Sequence, residues 1–314
     1  MIAIETVFVL GAGASVPFNF PTGAELRQRL CNELRLGFGL CALLQECGQD
    51  NDLINRFRNE FERSGINSID NFIAFRPVYQ EIGELAIAAV LVPLEDQAKL
   101  MSVGGKAGNG GWYQMLWNEM LAGVSEPQEL LLNRVCFVTF NYDRSLEQYL
   151  LNAISHAFGL GQNAAYQLLS QIPIQHVYGS LGSYGAEQGF RYGGHDQSTL
   201  KNMLLAATQS IKTVPAVRGS KDELSASWLA KAQRVFVMGF GFDPANCARI
   251  DLPAACTQPP RNVTPRNVFA SAFNLTHAEV GWCEANSCLP GQGGLIWTNG
   301  DCLALLRDRR NFLN

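Results

Sequence analysis

The sequence predicts an α/β fold, a Rossmann-like doubly wound parallel sheet carrying a large helical insertion, and three observations lead there. Short apolar runs at 7–10 (VFVL), 135–139 (VCFVT) and 234–238 (RVFVM) each lead into a turn rich in glycine, asparagine or aspartate. That is the pattern of strands buried on both faces whose C-terminal ends build a ligand site. From 135 onward such strands alternate with helix-period segments, as in a parallel sheet covered by helices. Between the first run and the second, from about Gly39 to Pro127, there is helical periodicity and no strand pattern. A chain of 314 residues suits one large α/β domain with an annex. The expected layout is therefore a single domain over 1–314 with a helical insertion module over 39–130.

In chain order, Val7 to Leu10 is the first strand, and GAGAS at 11–15 follows it. Two glycines there let the backbone turn sharply and approach a ligand closely. The dinucleotide fingerprint asks for a third glycine where Val16 stands and for a helix at once, whereas Pro17 and Pro21 delay the helix until about Thr22. The turn alone thus reads either as a nucleotide-binding turn or as a glycine-rich strand exit. Behind Thr22, a capping residue, Ala24, Leu26, Leu30 and Leu34 fall at near-helical spacing. Further helix-period segments are broken by Gly65, Pro93 and the glycine-rich 104–111. Trp112, Tyr113 and Trp117 supply either a partner-contact surface or the insert's own core. Strand, helix and strand then follow over 135–182, and RVFVMGFGFDPAN repeats the strand-and-turn arrangement at 234–246. NVFASAF and GLIWTN are short strands, with helices at His277–Asn286 and Asp301–Arg309, while 251–265 reads as a proline-rich surface loop.

Composition excludes several classes. Lys plus Arg is 24 against 28 Asp plus Glu, a net charge of −4, so direct nucleic-acid binding is not expected. Arg307, Arg309 and Arg310 read as a solvated helix end. Nine cysteines, an odd number with no Cys-x-x-Cys pair, fit a reducing compartment and leave a zinc ribbon without ligands, so no metal is expected. The start carries no basic leader, and the apolar run at 85–94 is about half the length of a membrane helix. The expectation is a cytoplasmic protein without a membrane segment.

Each strand end has an ordinary reading when taken singly: GAGAS a turn, Asp143 in TFNYD a helix cap, His176 in HVYGSLG a core histidine, GFGFDPAN a second turn. In this order they resemble the sirtuin-like family, with its GAGAS turn, T-x-N-x-D motif, strand ending near His-Gly and late glycine-rich strand exit. The resemblance covers roughly 5–25, 134–182 and 234–310, and its wording is closest to the bacterial sirtuin-like NAD hydrolases of anti-phage defence. It implies NAD as substrate and cleavage of the nicotinamide–ribose bond. Such a reaction passes through an oxocarbenium-like ribose and needs polar groups to hold the ribose and a water.

By this match Asn141, able to donate and accept, is the leading catalytic residue, with Asp143 beside it. Gly11, Ala12, Gly13 and Ser15 would meet the pyrophosphate, Thr139, Gly179 and Ser180 would line the site, and Gly239, Gly241, Asp243 and Asn246 would take the adenosine side. Two departures qualify the match. Where the family has histidine before the glycine of its third motif, this chain has Tyr178 before Gly179, with His176 two residues earlier on the same strand face. A phenol with a pKa of about 10 is a poor base, so His176 is the expected base with Tyr178 a hydrogen-bonding group, the alternative being that Tyr178 holds the position and His176 supports it; His195 reads as a surface residue. The deacylases carry a zinc ribbon and a glutamine before the motif asparagine, whereas Phe140 stands here.

The implied activity is thus NAD glycohydrolysis, with an NAD- or ADP-ribose-binding subunit lacking turnover as the alternative and a deacylase behind both. NAD depletion is toxic, so the chain is expected to be restrained by homo-oligomerisation or by a separately encoded ATPase, nuclease or Argonaute-like partner.

Overall fold

The computed structural model describes residues 1–101, 111–182, 191–194, 199–213, 220–257, 266–288 and 294–313. Its centre is a sheet of parallel strands β1 (Thr6–Leu10), β2 (Val135–Thr139), β3 (Ile174–His176), β4 (Arg234–Met238), β5 (Asn267–Ser271) and β6 (Ile296–Thr298), in the order β3-β2-β1-β4-β5-β6. The chain builds outward from β1 on one side and then crosses to β4 on the other, the doubly wound order with its switch point between β1 and β4. All of β1 is buried, as its unbroken apolar run requires. In-register pairing places Phe8 between Phe137 and Phe236. Their rings stack at 5.3 and 5.2 Å, and Phe269 extends the row at 5.1 Å from Phe236. Each such pair contributes about 0.5–1.5 kcal/mol beyond its area burial, so this ladder stiffens the strands that carry the site.

Between β1 and β2 lie helices α1 (Gly23–Glu33), α2 (Gly39–Glu46), α3 (Asn51–Ser64), α4 (Ile69–Phe75), α5 (Gln80–Leu91), α6 (Gln97–Met101) and α7 (Gly111–Leu121). Thr22 and Glu25 form a reciprocal capping box that starts α1, while single 3-10 turns at Ala12–Ala14 and Val16–Phe18 take up the proline-containing stretch before it. Helix α5 is the axle of this layer. Ile82 to Leu91 are all buried, and the apolar window 77–94 has 67% of its residues inside the protein.

After β2 come α8 (Ser145–Phe158), α9 (Gln162–Leu169), α10 (Leu200–Ser210), α11 (Glu223–Lys231), α12 (Pro244–Arg249), α13 (Leu252–Cys256), α14 (His277–Ser287) and α15 (Cys302–Asp308). Helix α5 packs on α1, α2, α4 and α10, and α7 packs on α8 and α15, so the helical insert shares its core with the rest of the fold.

One reading left open above is decided here, and two expectations are corrected. Trp112, Tyr113 and Trp117 are 1%, 2% and 6% exposed and form core. Helix α7 packs beneath the first glycine turn, with Trp112 Nε1 donating to the Ala14 carbonyl at 2.8 Å and Tyr113 stacked on Phe18. The segment read as surface loop begins instead with α13, whose Leu252, Ala255 and Cys256 are buried; Pro253 falls in the first turn, where its missing N–H removes no helical bond. Residues 258–265 lie outside the described part. The C-terminal arginines are solvated only in part: Arg307 and Arg310 are exposed, yet Arg310 Nε donates to Glu119 at 2.7 Å and Arg309 lies over the Phe269 ring, tying the terminus to α7 and β5. The nine cysteines are all free thiols.

Candidate functional site

At the switch point two glycine turns press backbone against backbone. The Gly11 amide donates to the Met238 carbonyl at 3.0 Å and the Gly13 amide to the Gly239 carbonyl at 2.9 Å, while the Gly239 amide donates to Ser271 Oγ at 2.9 Å. A Cβ on Gly11 would lie 2.5 Å from the Gly239 carbonyl oxygen, and one on Gly239, whose φ is +57°, would overlap the Ala14 amide nitrogen. These glycines are therefore demanded by the contact of the two turns. The amides of Gly11 and Gly13, expected to face a pyrophosphate, are used inside the protein. Ala12 is half-buried at the start of the turn, and Ser15 is buried.

The β1–β2 ladder continues one residue further, with the Phe140 amide donating to the Leu10 carbonyl at 2.9 Å, and this brings Asn141 over the first turn. Thr139 Oγ1 accepts from the Asn141 amide at 3.1 Å, and Asn141 Nδ2 donates to the Gly11 carbonyl at 3.0 Å and to Ser15 Oγ at 2.8 Å. A carbonyl can only accept, so nitrogen is the atom facing Gly11. The other end of the amide, Oδ1, is buried and has no hydrogen-bond partner among the described residues. A buried acceptor left unpaired costs about 1–3 kcal/mol, and a donor brought by a ligand or water would recover it.

The buried Asp143 carboxylate, close to Ser15, accepts from the Ser145 amide at 3.1 Å and from the Ser145 hydroxyl; that hydroxyl meets Tyr113 OH at 2.8 Å. Asp143 thus satisfies an amide at the start of α8 and belongs to the Asn141 web as well. Burial pushes its carboxyl above the usual range, against the hydrogen bonds from Ser145 and Ser15.

The expectation for His176 meets a different geometry. His176 pairs with Thr139 across β2–β3, and its Nδ1 lies 2.8 Å from the Asn141 carbonyl and its Nε2 2.6 Å from Glu147 Oε1. A carbonyl and an ionised carboxylate both accept, so both contacts are satisfied together when both ring nitrogens donate, as in an imidazolium. Burial alone would lower its pKa, but the Glu147 carboxylate and the Asn141 carbonyl outweigh burial and hold it above the ordinary value. In that form no nitrogen is left to take a proton from a substrate.

Tyr178 is buried; its hydroxyl donates to Asn246 Oδ1 at 2.6 Å, the Arg249 guanidinium lies over its ring, and Phe140 meets it edge-on. Burial raises its phenol further, against the lowering effect of Arg249. Gly179 adopts a φ of +71° against the end of α10, where a Cβ would overlap the Ser210 carbonyl. Ser180 Oγ turns to the Gly182 carbonyl, Asp243 caps α12, and Gly241 is exposed.

The structure thus joins Gly11, Gly13, Ser15, Thr139, Asn141, Asp143, His176 and Gly239 in one contiguous web. Tyr178 and Asn246 form a neighbouring pair, and the Ser180 hydroxyl bonds to neither, turning to Gly182. His195 is outside the described residues.

Sequence reasoning missed Glu147, Ser145, Tyr113 and Asp70, the last of which accepts from Tyr142 OH at 2.6 Å. Ser145 lies two residues beyond Asp143, within reach of the cap reading, whereas Glu147, Tyr113 and Asp70 meet partners that only the fold brings together. The insert is also tied to the site loop by a buried ion pair, Arg144 Nη2 to Glu95 Oε2 at 2.6 Å. Among the described residues no group of three His, Cys, Asp or Glu side chains is placed to hold a metal ion. No protein-family model matches this chain and no curated protein matches it, so the chemistry of the site is argued from its own residues.

Proposed function

We propose that the chain is an NAD glycohydrolase, binding NAD across the C-terminal ends of β1, β2 and β4 and hydrolysing the nicotinamide–ribose bond. The observation that carries this reading is the Asn141 amide, fixed at the switch point by two donated bonds and left with a buried, unpaired Oδ1. That oxygen suits a ribose hydroxyl or the attacking water. When the C–N bond breaks, its electron pair leaves with neutral nicotinamide, which needs no proton. Water then adds to the oxocarbenium carbon and gives up a proton, for which Ser15 Oγ, bonded to Asn141 and close to Asp143, offers a path to the Asp143 carboxylate as acceptor. The sirtuin-like resemblance of the strand-end motifs supports the same reading. It extends the proposal to a cytoplasmic anti-phage effector that acts by NAD depletion and is restrained by self-assembly or by a separately encoded partner.

A second reading, an NAD- or ADP-ribose-binding subunit without turnover, is favoured by one observation: His176 and Tyr178 are both fully engaged within the protein. Incubating purified protein with NAD and chromatographing nicotinamide and ADP-ribose species, with and without candidate partners, separates the two. Nicotinamide release that Asn141→Ala abolishes supports the hydrolase. Calorimetric NAD binding without release supports the second reading, and absence of both overturns the NAD assignment.

A further inference from the structure

The pair formed by Glu147 and His176 stands behind Asn141 and holds its main chain while Ser15 and Gly11 hold its side chain. We infer that Glu147 is a positioning residue for the proposed NAD cleavage, fixing Asn141 through a doubly donating His176. The chain of contacts is continuous: Glu147 Oε1 to Nε2 at 2.6 Å, Nδ1 to the Asn141 carbonyl at 2.8 Å, and Asn141 Nδ2 to the Gly11 carbonyl at 3.0 Å. The two side chains are 13% and 12% exposed, so their attraction is screened far less than that of a surface pair.

A neutral imidazole has one N–H. Deprotonated, His176 would set a bare nitrogen against either the Glu147 carboxylate or the Asn141 carbonyl, and one of the two bonds would fail. The clamp therefore exists only while the ring is charged.

The charged groups acting on the ring are Glu147 from α8 and Asp143 from the loop between β2 and α8, both acidic, with the Asn141 carbonyl dipole adding to them. All three favour the imidazolium. On β3 itself, the neighbouring Gln175 turns to Asp222, at 3.1 Å. The sign follows directly. A histidine whose pKa is raised in the folded protein keeps its clamp at low pH and loses it as pH rises through that folded value. Activity limited by the clamp falls on the alkaline side, whereas a histidine acting as general base would lose activity on the acid side.

This inference rests on the NAD reading, and the test separates the two. Ring resonances of isotope-labelled histidine in the full chain, with His176 assigned by loss of its signal in His176→Gln, are titrated without NAD. In parallel, nicotinamide release is measured against pH for wild type, Glu147→Gln and Glu147→Asp. The expected results are a His176 midpoint above the ordinary value of about 6.5 and a midpoint lower by about one unit or more in Glu147→Gln. The alkaline loss of activity should move by the same amount, kcat should fall with KM for NAD little changed, and Glu147→Asp should restore part of the rate.

A His176 midpoint at or below the ordinary value in wild type overturns the clamp, as does an acid-side loss of activity. So does a Glu147→Gln profile that keeps its position. If NAD is not cleaved at all, the functional reading fails, and the NAD-free titration of wild type and Glu147→Asp still decides whether the charged clamp exists, even should Glu147→Gln not fold.

Discussion

Gly13 and Gly239 face each other across the switch point, the amide of the first donating to the carbonyl of the second at 2.9 Å, and neither turn has room for a Cβ. Gly239→Ala combines a left-handed φ of +57° with overlap on the Ala14 nitrogen. The conformational penalty alone is about 1–2 kcal/mol, and backbone overlap adds to it, so the urea midpoint should fall substantially. Gly241→Ala, two residues on, is the control: that glycine is exposed and a Cβ there meets nothing within 4 Å, so its midpoint should stay within experimental error of wild type. Equal destabilisation by both substitutions would show that the two turns do not meet as described.

Arg144 and Glu95 form the strongest tie between the insert and the site loop, with side chains 2% and 0% exposed. Arg144→Met strands the carboxylate, and breaking a buried pair in this way costs about 3–5 kcal/mol. The double variant with Glu95→Met should recover most of that loss, because no unpaired charge remains. Thermal melts of the two single variants and the double variant check the expectation through the double-mutant cycle.

Asn141→Ala should abolish nicotinamide release and leave the fold in place. The lost bonds to Gly11 and Ser15 are worth about 0.5–1.5 kcal/mol each, too little to unfold a domain of this size. Near-UV circular dichroism together with chromatographic turnover is the measurement. Full turnover in a folded variant would remove Asn141 from the chemistry.

The expected order of two further variants follows from which group touches Asn141. His176→Ala removes the donor to the Asn141 carbonyl and should lower turnover at saturating NAD by about a hundredfold, within the range that catalytic positioning supplies. Tyr178→Phe removes only the bond to Asn246 and should keep most of the rate at some loss of stability. The reverse order would move the key role to Tyr178.

Metal removal should change nothing. Half-buried Cys136 and buried Cys302, whose thiols burial pushes to about 11 and about 12, resist the deprotonation that zinc ligation needs. Prolonged dialysis against a chelator is expected to leave both the melting temperature and any NAD turnover unaltered. Stoichiometric zinc in elemental analysis would contradict this.

What could be read in the sequence is what neighbours along the chain decide. The apolar runs of β1, β2 and β4 need burial on both faces, and Thr22 caps α1. These are interactions over a few residues, so composition and spacing reveal them, and the order of strands and helices yields the sheet. The same local reasoning left Trp112, Tyr113 and Trp117 undecided between core and contact surface. Nothing within a few residues of them shows that α7 lies under a turn 98 positions earlier, where Trp112 reaches Ala14.

The chemistry of the site was decided at that longer range. By itself the sequence determined an α/β domain whose strand ends carry Gly11, Asn141, His176 and Gly239. Only the tertiary structure decided that His176 spends both nitrogens, on Asn141 and on a glutamate 29 residues away, and that the glycine amides close on each other. A side chain's protonation and its free lone pairs depend on which donors and acceptors the fold brings within about 3 Å, and chain separation carries no information about that distance.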